Sequence, residues 1–317
     1  MTSFLIALAA AATATWVCRE IAVRLGIVNM PNPLVAQHVR PVAYLGGIGL
    51  AIGWAVAMLA TGTFPPAGWG VGAAGALLLG LADDLRPFSP GAKLAAQLAV
   101  AILAVIVGMP FPALFGAVPD TIFAILAIVT LMNAVNLTDV SDGLVAGLAL
   151  IAFGCLALLS GGPQATVLAA GAGAAGGFLV WNRPPASIFL GDAGSHLIGF
   201  VLAAAVLGAC AADMSAAGWA RAWLPVGVFV FELMSVIAMR YRRGVPVWRG
   251  SMDHFSLRLQ ERGWTRWQVD LAAWGACLCL CVLAIAAPLA GVALAGLAGL
   301  LAWHGLSRSA SVPGEPK

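Results

Sequence analysis

The chain alternates between long apolar runs and short breaks that contain glycine, proline or charged residues. A helix that crosses a bilayer needs about 20 mostly apolar residues and satisfies its own backbone hydrogen bonds. The pattern predicts ten or eleven transmembrane helices, with candidates near residues 3–24, 44–62, 67–83, 93–109, 119–135, 143–160, 163–181, 194–212, 221–240, 268–287 and 288–304. The predicted fold is an all-α, polytopic membrane protein with one transmembrane domain over 1–317. The tail after about residue 305 is expected to be disordered.

Composition supports this interpretation, because 62% of the 317 residues are hydrophobic and only 9% are charged. Soluble domains have about 45–50% apolar and 25% charged residues. So few charges could not cover a soluble particle of this size, which excludes a soluble enzyme, a disordered chain and a nucleic-acid binder. The six cysteines, three of them in one apolar run, are expected to be small apolar residues in helices rather than disulfide partners.

Charge asymmetry between alternate loops orients the chain. Every Lys and Arg except Arg221 falls on one side, and cytoplasmic loops carry the excess of basic residues. This predicts an outside N-terminus and a cytoplasmic C-terminus. The acidic residues that could carry chemistry fall on the same side, namely Asp83, Asp84, Asp139, Asp142, Asp192 and Asp253. Any active site is therefore expected at the cytoplasmic face.

The strongest motif is a run of polar residues at the end of the predicted fifth helix. Four of them recur at every third position, namely Asn133, Asn136, Asp139 and Asp142. Residues three apart share a helix face, so the run predicts a polar stripe that points to one place. Capping of the next helix through Asp142 and Gly143 would explain only one or two of the four.

Two further motifs contain carboxylates. Asp83 and Asp84 close the third span and Lys93 opens the fourth. Adjacent carboxylates at a helix C-terminus are unfavourable unless a cation lies near them. The segment from Asn182 to Phe189, followed by Gly-Asp192-Ala-Gly-Ser, leads into the eighth span, where free backbone N–H groups favour anions.

Two loops on the same side are rich in cations. One contains His38-Val-Arg40-Pro41, and the other runs from Arg240 to Arg258. Basic clusters next to a membrane most often set topology or contact anionic lipids. That explanation does not account for His254 beside Asp253, with Arg258 one helical turn further on.

The candidate site thus contains carboxylates, amides and cations. Hard oxygen ligands of this kind suit Mg²⁺, or Mn²⁺, rather than zinc or copper. Together with a lipid-embedded scaffold, they predict that a phosphorylated polar substrate meets a lipid phosphate at the membrane surface.

The order of these motifs resembles that of the polyprenyl-phosphate N-acetylhexosamine-1-phosphate transferases of glycosyltransferase family 4. This superfamily includes WecA-type enzymes and MraY-type phospho-N-acetylmuramoyl-pentapeptide transferases, and the chain looks closer to the WecA type. The resemblance implies transfer of a sugar 1-phosphate from a UDP-N-acetylhexosamine to undecaprenyl phosphate, with release of UMP. It also implies Mg²⁺ dependence, a location in the bacterial inner membrane, a role in starting a cell-envelope polysaccharide such as O-antigen, and, by resemblance alone, a homodimer.

The resemblance also implies roles for individual residues. Asp192 would be the principal Mg²⁺ ligand, with Asp83 beside it, and Asp83 and Asp84 would be catalytic carboxylates. The remaining assignments are His254 near the diphosphate or sugar and a substrate-binding set of Arg40, Lys93, Asn133, Asn136, Asp139, Asp142, Asn182, Phe189 and Arg258, in which Phe189 would stack on uracil.

One departure bears on the sugar. Relatives often have several histidines in the last cytoplasmic loop, whereas residues 252–258 contain His254 alone. This lowers the expectation for a muramoyl-pentapeptide substrate and leaves N-acetylglucosamine as the default, with a 6-deoxy N-acetylhexosamine as an alternative. From another class, a proton-coupled transporter would place its ionisable groups near mid-membrane.

Overall fold

The computed structural model describes residues 1–30, 41–248 and 252–307. In these ranges the first seven helices are α1 (Thr2–Leu25), α2 (Gly46–Thr61), α3 (Ala67–Leu85), α4 (Pro90–Ile106), α5 (Ala117–Thr138), α6 (Leu144–Leu159) and α7 (Gly162–Asn182). The others are α8 (Gly191–Ala212), α9 (Ala216–Trp223), α10 (Gly227–Arg242), α11 (Phe255–Glu261), α12 (Arg266–Ala286) and α13 (Pro288–Ser307). Two short strands, β1 (Val28–Asn29) and β2 (Val42–Ala43), pair antiparallel.

The all-α, polytopic fold is confirmed, because each predicted span contains a helix. By length and composition, the described residues contain seven helical stretches able to cross a membrane, namely α1, α5, α7, α8, the stretch from α9 through α10, α12 and α13. Helices α2, α4 and α6 are shorter and apolar. The orientation of the termini and the homodimer stay predictions, and the expected tail disorder falls largely outside the described residues.

The predicted ninth span, 221–240, is wrong as a single helix. A 3₁₀ turn at Leu224–Val226 separates α9 from α10. Pro225 has no backbone N–H and cannot continue the α-helical hydrogen bonds, which explains the break. The short helix α11 and the strand pair were not predicted either.

Helix α8 is the centre of the bundle and is buried throughout residues 193–208. Small residues let its neighbours approach closely, as is common between membrane helices. At Gly72 of α3, for example, an added Cβ would lie 1.9 Å from the Phe200 ring of α8. By contrast, α13 keeps most of its apolar surface exposed, as expected of a lipid-facing helix. All six cysteines are unpaired and lie in helices.

The first turns of α2 and α8 are joined to the segment between α7 and α8. Phe189 donates its backbone N–H to the Ala43 carbonyl of β2 at 2.9 Å, and its own carbonyl accepts from Gly46 at 3.0 Å. Gly47 donates to Leu190 at 2.9 Å. These bonds fix the start of α8, where Asp192 lies, at the end of the bundle that also holds the α3–α4 turn.

Candidate active site

A cleft of about 1180 Å³ opens at this end of the bundle. Its polar lining comes from five helices and from the segment between α1 and α2, and consists of Asn29, Tyr44, Asp83, Asp84, Lys93, Gln97, Asn133, Asn136, Asp192 and Arg240. The rest of the lining is largely apolar and includes Ile27, Leu85, Phe88, Leu94, Leu137, Leu233, Ile237 and Trp248. The cleft can therefore accept a ligand that has both charged and apolar parts.

Lys93 contacts three of the polar residues that line the cleft. Its ammonium nitrogen is 2.8 Å from Asp83 Oδ2 and 3.0 Å from Asp192 Oδ2, and it donates to Asn136 Oδ1 at 3.3 Å. Lys93 and Asp192 are partly exposed to the cleft, whereas Asp83 is buried. One cation thus joins three oxygen atoms that come from α3, α5 and α8.

Asn136 fixes the orientation of Asp192 from the side. Its amide nitrogen donates to Asp192 Oδ1 and, at 3.0 Å, to Ser195 Oγ. Asp83 is likewise held, because its Oδ1 accepts the Phe88 backbone N–H at 2.6 Å. The two carboxylates are therefore positioned by neighbouring groups before any ligand arrives.

Asp84 has a different environment from Asp83. Its two carboxylate oxygens accept the backbone N–H groups of Asp192 at 2.7 Å and Ala193 at 3.0 Å. Asp84 therefore supplies the anion expected at the start of α8, where the helix dipole favours negative charge. Gly191 adopts a φ of 74° at this point, and an added Cβ would lie 2.7 Å from Asp84 Oδ2.

The polar residues that line the cleft suit a divalent cation of the Mg²⁺ type. The described residues contain no cluster of three or more His, Cys, Asp or Glu side chains arranged to hold a metal. Mg²⁺, however, usually takes only one or two protein carboxylates and completes its coordination with water and substrate phosphates. Asp83 and Asp192 are two such carboxylates, and the Lys93 ammonium already shows that their oxygens converge on one cation.

The predicted polar stripe is wrong beyond Asn136, because α5 ends at Thr138. Asp142 instead accepts the Ala186 N–H at 2.9 Å and pairs with Arg266 of α12. Asn182 accepts the Gly143 N–H and donates to the Ile188 carbonyl, both at 2.9 Å. Both side chains connect loops, and neither is among the described residues that line the cleft.

Asp139 and Phe189 also lie outside the cleft lining. Burial, followed by the charges of Asp192, Asp84 and Asp142, raises the pKa of Asp139 well above its ordinary value. Asp139 is thus electrostatically close to the cleft carboxylates. Phe189 is half-buried between β2 and α2. Arg40, predicted to lie near the nucleotide, falls outside the described residues.

His254 and Arg258 are buried, and neither is among the described cleft-lining residues. His254 Nδ1 is 2.8 Å from Glu232 Oε1, and the Phe255 N–H donates to the second Glu232 oxygen at 3.2 Å. Arg258 donates to Asp253 at 2.7 Å and to the Leu306 carbonyl at 2.9 Å. These contacts fix the start of α11 and the end of α13.

Gln97, His196 and Tyr44 were not singled out from the sequence. Gln97 and Tyr44 line the cleft, and His196 lies directly behind Asp192, with its Nδ1 2.7 Å from the Asp192 carbonyl. Spacing was the available signal, since Gln97 follows Lys93 by one helical turn and His196 follows Asp192 by the same interval.

Comparison with known proteins agrees with this geometry. The family model described as "Glycosyl transferase family 4" matches residues 67–209, which include Asp83, Asp84, Lys93, Asn136 and Asp192. A "Probable undecaprenyl-phosphate N-acetylglucosaminyl 1-phosphate transferase" of Bacillus subtilis (strain 168) is 29% identical over 284 residues, covering 82% of this chain and 77% of the relative. The family match and this relative support assignment of the chain to the glycosyl transferase family 4 superfamily.

Other relatives in this superfamily match a shorter part of the chain. The "Phospho-N-acetylmuramoyl-pentapeptide-transferase" of Shouchella clausii (strain KSM-K16) is 39% identical over 203 residues, which are 57% of this chain and 59% of the relative. The enzyme of the same name from Halalkalibacterium halodurans is 38% identical over 169 residues, or 51% and 49%. The chain thus spans about half the length of these two relatives.

Proposed function

We propose that the protein transfers an N-acetylhexosamine 1-phosphate from a UDP-sugar to undecaprenyl phosphate. The lipid phosphate oxygen attacks the β-phosphorus of the UDP-sugar, and the bond from that phosphorus to the bridging oxygen breaks. The products are undecaprenyl-diphosphate-sugar and UMP. One observation carries the proposal, namely the Asp83–Lys93–Asp192 cluster in the lining of a cleft that also has many apolar lining residues.

Shape and polarity of the cleft suit the two substrates. The apolar lining residues can contact the first isoprene units of the acceptor, and the polar lining residues can bind its phosphate. The charged groups also gather at one end of the bundle, whereas a transporter would need them near mid-membrane. A reaction between a membrane lipid and a water-soluble nucleotide requires such a boundary position.

The carboxylates need not remove a proton in this reaction. The second ionisation of a phosphate monoester has a pKa of about 6, so the acceptor is mostly a dianion at neutral pH. Phosphoryl transfer then depends on positioning and charge stabilisation. Asp83 and Asp192 would hold Mg²⁺, which when bound would neutralise charge on the diphosphate. Lys93 supplies a fixed positive charge at the same place and can bind a phosphate oxygen.

The two carboxylates of the Asp83–Asp84 pair receive different roles. Asp84 already accepts two backbone N–H groups, so we assign it to holding the start of α8. Both carboxylates line the cleft, but Asp83 is bonded to the partly exposed Lys93 ammonium, so we assign it to charge organisation around the phosphates. For Asp84 we thus propose a structural role in place of the catalytic role that the resemblance implies.

For the donor we propose UDP-N-acetylglucosamine. The Bacillus subtilis relative, whose name specifies N-acetylglucosaminyl transfer, covers most of this chain. A phospho-N-acetylmuramoyl-pentapeptide donor is the second candidate, because those relatives have the higher identity over about half of it. The single histidine in residues 252–258 favours the first donor.

A donor panel tests the proposal. Purified protein in lipid nanodiscs, undecaprenyl phosphate and Mg²⁺ would be incubated with UDP-N-acetylglucosamine, UDP-N-acetylgalactosamine, a UDP-6-deoxy-N-acetylhexosamine or UDP-N-acetylmuramoyl-pentapeptide. Mass spectrometry of the lipid fraction and UMP release are the readouts, with the Asp192→Asn variant as the inactive control. We expect product with UDP-N-acetylglucosamine. If no donor yields a polyprenyl diphosphate sugar, the proposed function is wrong.

A further inference from the structure

A second layer of polar side chains lies one helical turn from Lys93, Asn136 and Asp192, and two of its members, Gln97 and Asn133, also line the cleft. Gln97 follows Lys93 by four positions on α4, and His196 follows Asp192 by four on α8. Asn133 precedes Asn136 by three on α5. Residues three or four apart share a helix face, so each residue of the second layer lies behind its counterpart in the first.

The second layer is connected by hydrogen bonds from α5 to α8. Asn133 Nδ2 donates to the Val129 carbonyl and to Gln97 Oε1, both at 2.8 Å. Gln97 Nε2 lies 3.0 Å from His196 Nε2, and His196 Nδ1 lies 2.7 Å from the Asp192 carbonyl. Gln97 and His196 are fully buried.

The two backbone carbonyls determine the direction of every bond in this layer, because a carbonyl can only accept. The Val129 carbonyl requires the Asn133 nitrogen, which in turn requires the Gln97 oxygen to face Asn133. The Gln97 nitrogen therefore faces His196 and donates to Nε2. The Asp192 carbonyl, which also accepts from Ser195 Oγ at 3.3 Å, can likewise only accept. The His196 Nδ1 beside it must therefore carry the proton, and because Nε2 accepts from Gln97 the ring is neutral.

We propose that Gln97 and His196 are positioning residues that hold the first turn of α8, and with it Asp192, at the distance from α4 that Lys93 spans. The expected effect on turnover rests on the proposed function, whereas the expected effect on the position of Asp192 does not. Partners behind a metal-binding or catalytic group typically change metal affinity or activity by about 10–100-fold when removed. Asn133 serves the same layer, since its amide is occupied by Gln97 and Val129.

The first test is spectroscopic and needs no substrate. The chain has four histidines, so ring ¹⁵N signals can be assigned to His196 by comparison with the His196→Leu variant. We expect a neutral, Nδ1-protonated ring at pH 7 that changes in Gln97→Leu protein. An Nε2-protonated or charged ring would overturn the proposal.

The second test compares variants by Mn²⁺ affinity, measured by electron paramagnetic resonance of free Mn²⁺, and by turnover. We expect Gln97→Leu and His196→Leu to lose about 10–100-fold in either quantity. His196→Asn should be less impaired than His196→Leu, because an asparagine nitrogen can replace Nδ1 as donor to Asp192. If packing alone mattered, the smaller and more polar asparagine would be the worse substitute.

Gln164→Leu is the matched control. It makes the same Gln-to-Leu change at the start of α7, where the Gln164 amide nitrogen has no hydrogen-bond partner. If Gln97→Leu equals this control in Mn²⁺ affinity and turnover, or if wild-type protein binds no Mn²⁺, the positioning role is wrong. Mn²⁺ binding that depends on Gln97 and His196 without turnover of any UDP-sugar would instead contradict only the proposed function.

Discussion

Gly80 of α3 contacts the first turn of α8, so Gly80→Ala tests whether the geometry of this turn controls the reaction. An added Cβ would lie 2.2 Å from the Asp192 carbonyl oxygen and 2.3 Å from its carbon, whereas ordinary contacts begin at 3.4 Å. Both are backbone atoms and cannot rotate away. Relief requires α3 and α8 to separate by about 1 Å, and such a misplacement costs roughly 100-fold in rate.

The control for this variant is Gly70→Ala in the same helix, where an added Cβ meets nothing within 4 Å. Both changes raise helix propensity, so they differ mainly in contact with α8. Overpacking at Gly80 should also lower stability by about 1–3 kcal/mol. We would measure kcat/KM with saturating lipid acceptor and the apparent Tm in the same detergent. Equal kcat/KM for the two variants would refute the reasoning.

Further predictions concern the carboxylates. Asp84→Asn should lower the apparent Tm, because its amide nitrogen would face an N–H group of α8; lost activity at unchanged Tm would instead indicate a direct catalytic role. Asp192→Asn should abolish turnover while the protein still inserts and purifies normally. Excess EDTA should stop the wild-type reaction until Mg²⁺ is restored, and turnover that survives EDTA would exclude a role for the metal. Glu232→Gln leaves only one oxygen to accept from His254 Nδ1 and the Phe255 N–H, and a buried polar group left unsatisfied costs about 1–3 kcal/mol, so an unchanged thermal unfolding curve would contradict these contacts.

Sequence patterns predict the helices well, because a span must be long, apolar and internally hydrogen-bonded. The predicted segments 143–160 and 288–304, for instance, coincide closely with α6 and α13. The break at Pro225 was missed because the residues on both sides of it are apolar. Hydropathy reports burial in lipid but not the local loss of a backbone hydrogen bond.

The polar run after Asn133 shows where one-dimensional reasoning stops. Its spacing predicts a single face, but the helix ends at Thr138 and Gly143 adopts a φ of 77°. Asp142 instead pairs with Arg266, which lies 124 positions further along the chain. The sequence contains both residues but no sign that α12 begins beside this turn, so the side chain appeared available for substrate when it is already paired.

Charge placement at the helix ends offers a sequence signal that could have separated the roles earlier. Asp83 and Asp84 lie at the C-terminus of α3 and Lys93 near the N-terminus of α4, and the helix dipole disfavours each position by about 0.3–1 kcal/mol. The fold offsets these costs by bringing opposite charges together, since Lys93 neutralises Asp83 and the α8 N-terminus neutralises Asp84. A natural sequence that keeps locally unfavourable charges at adjoining helix ends indicates a functional site there. The partners then separate the two roles, because Asp84 is bonded to the backbone of α8, whereas Asp83 is bonded to Lys93, whose ammonium is partly exposed to the cleft.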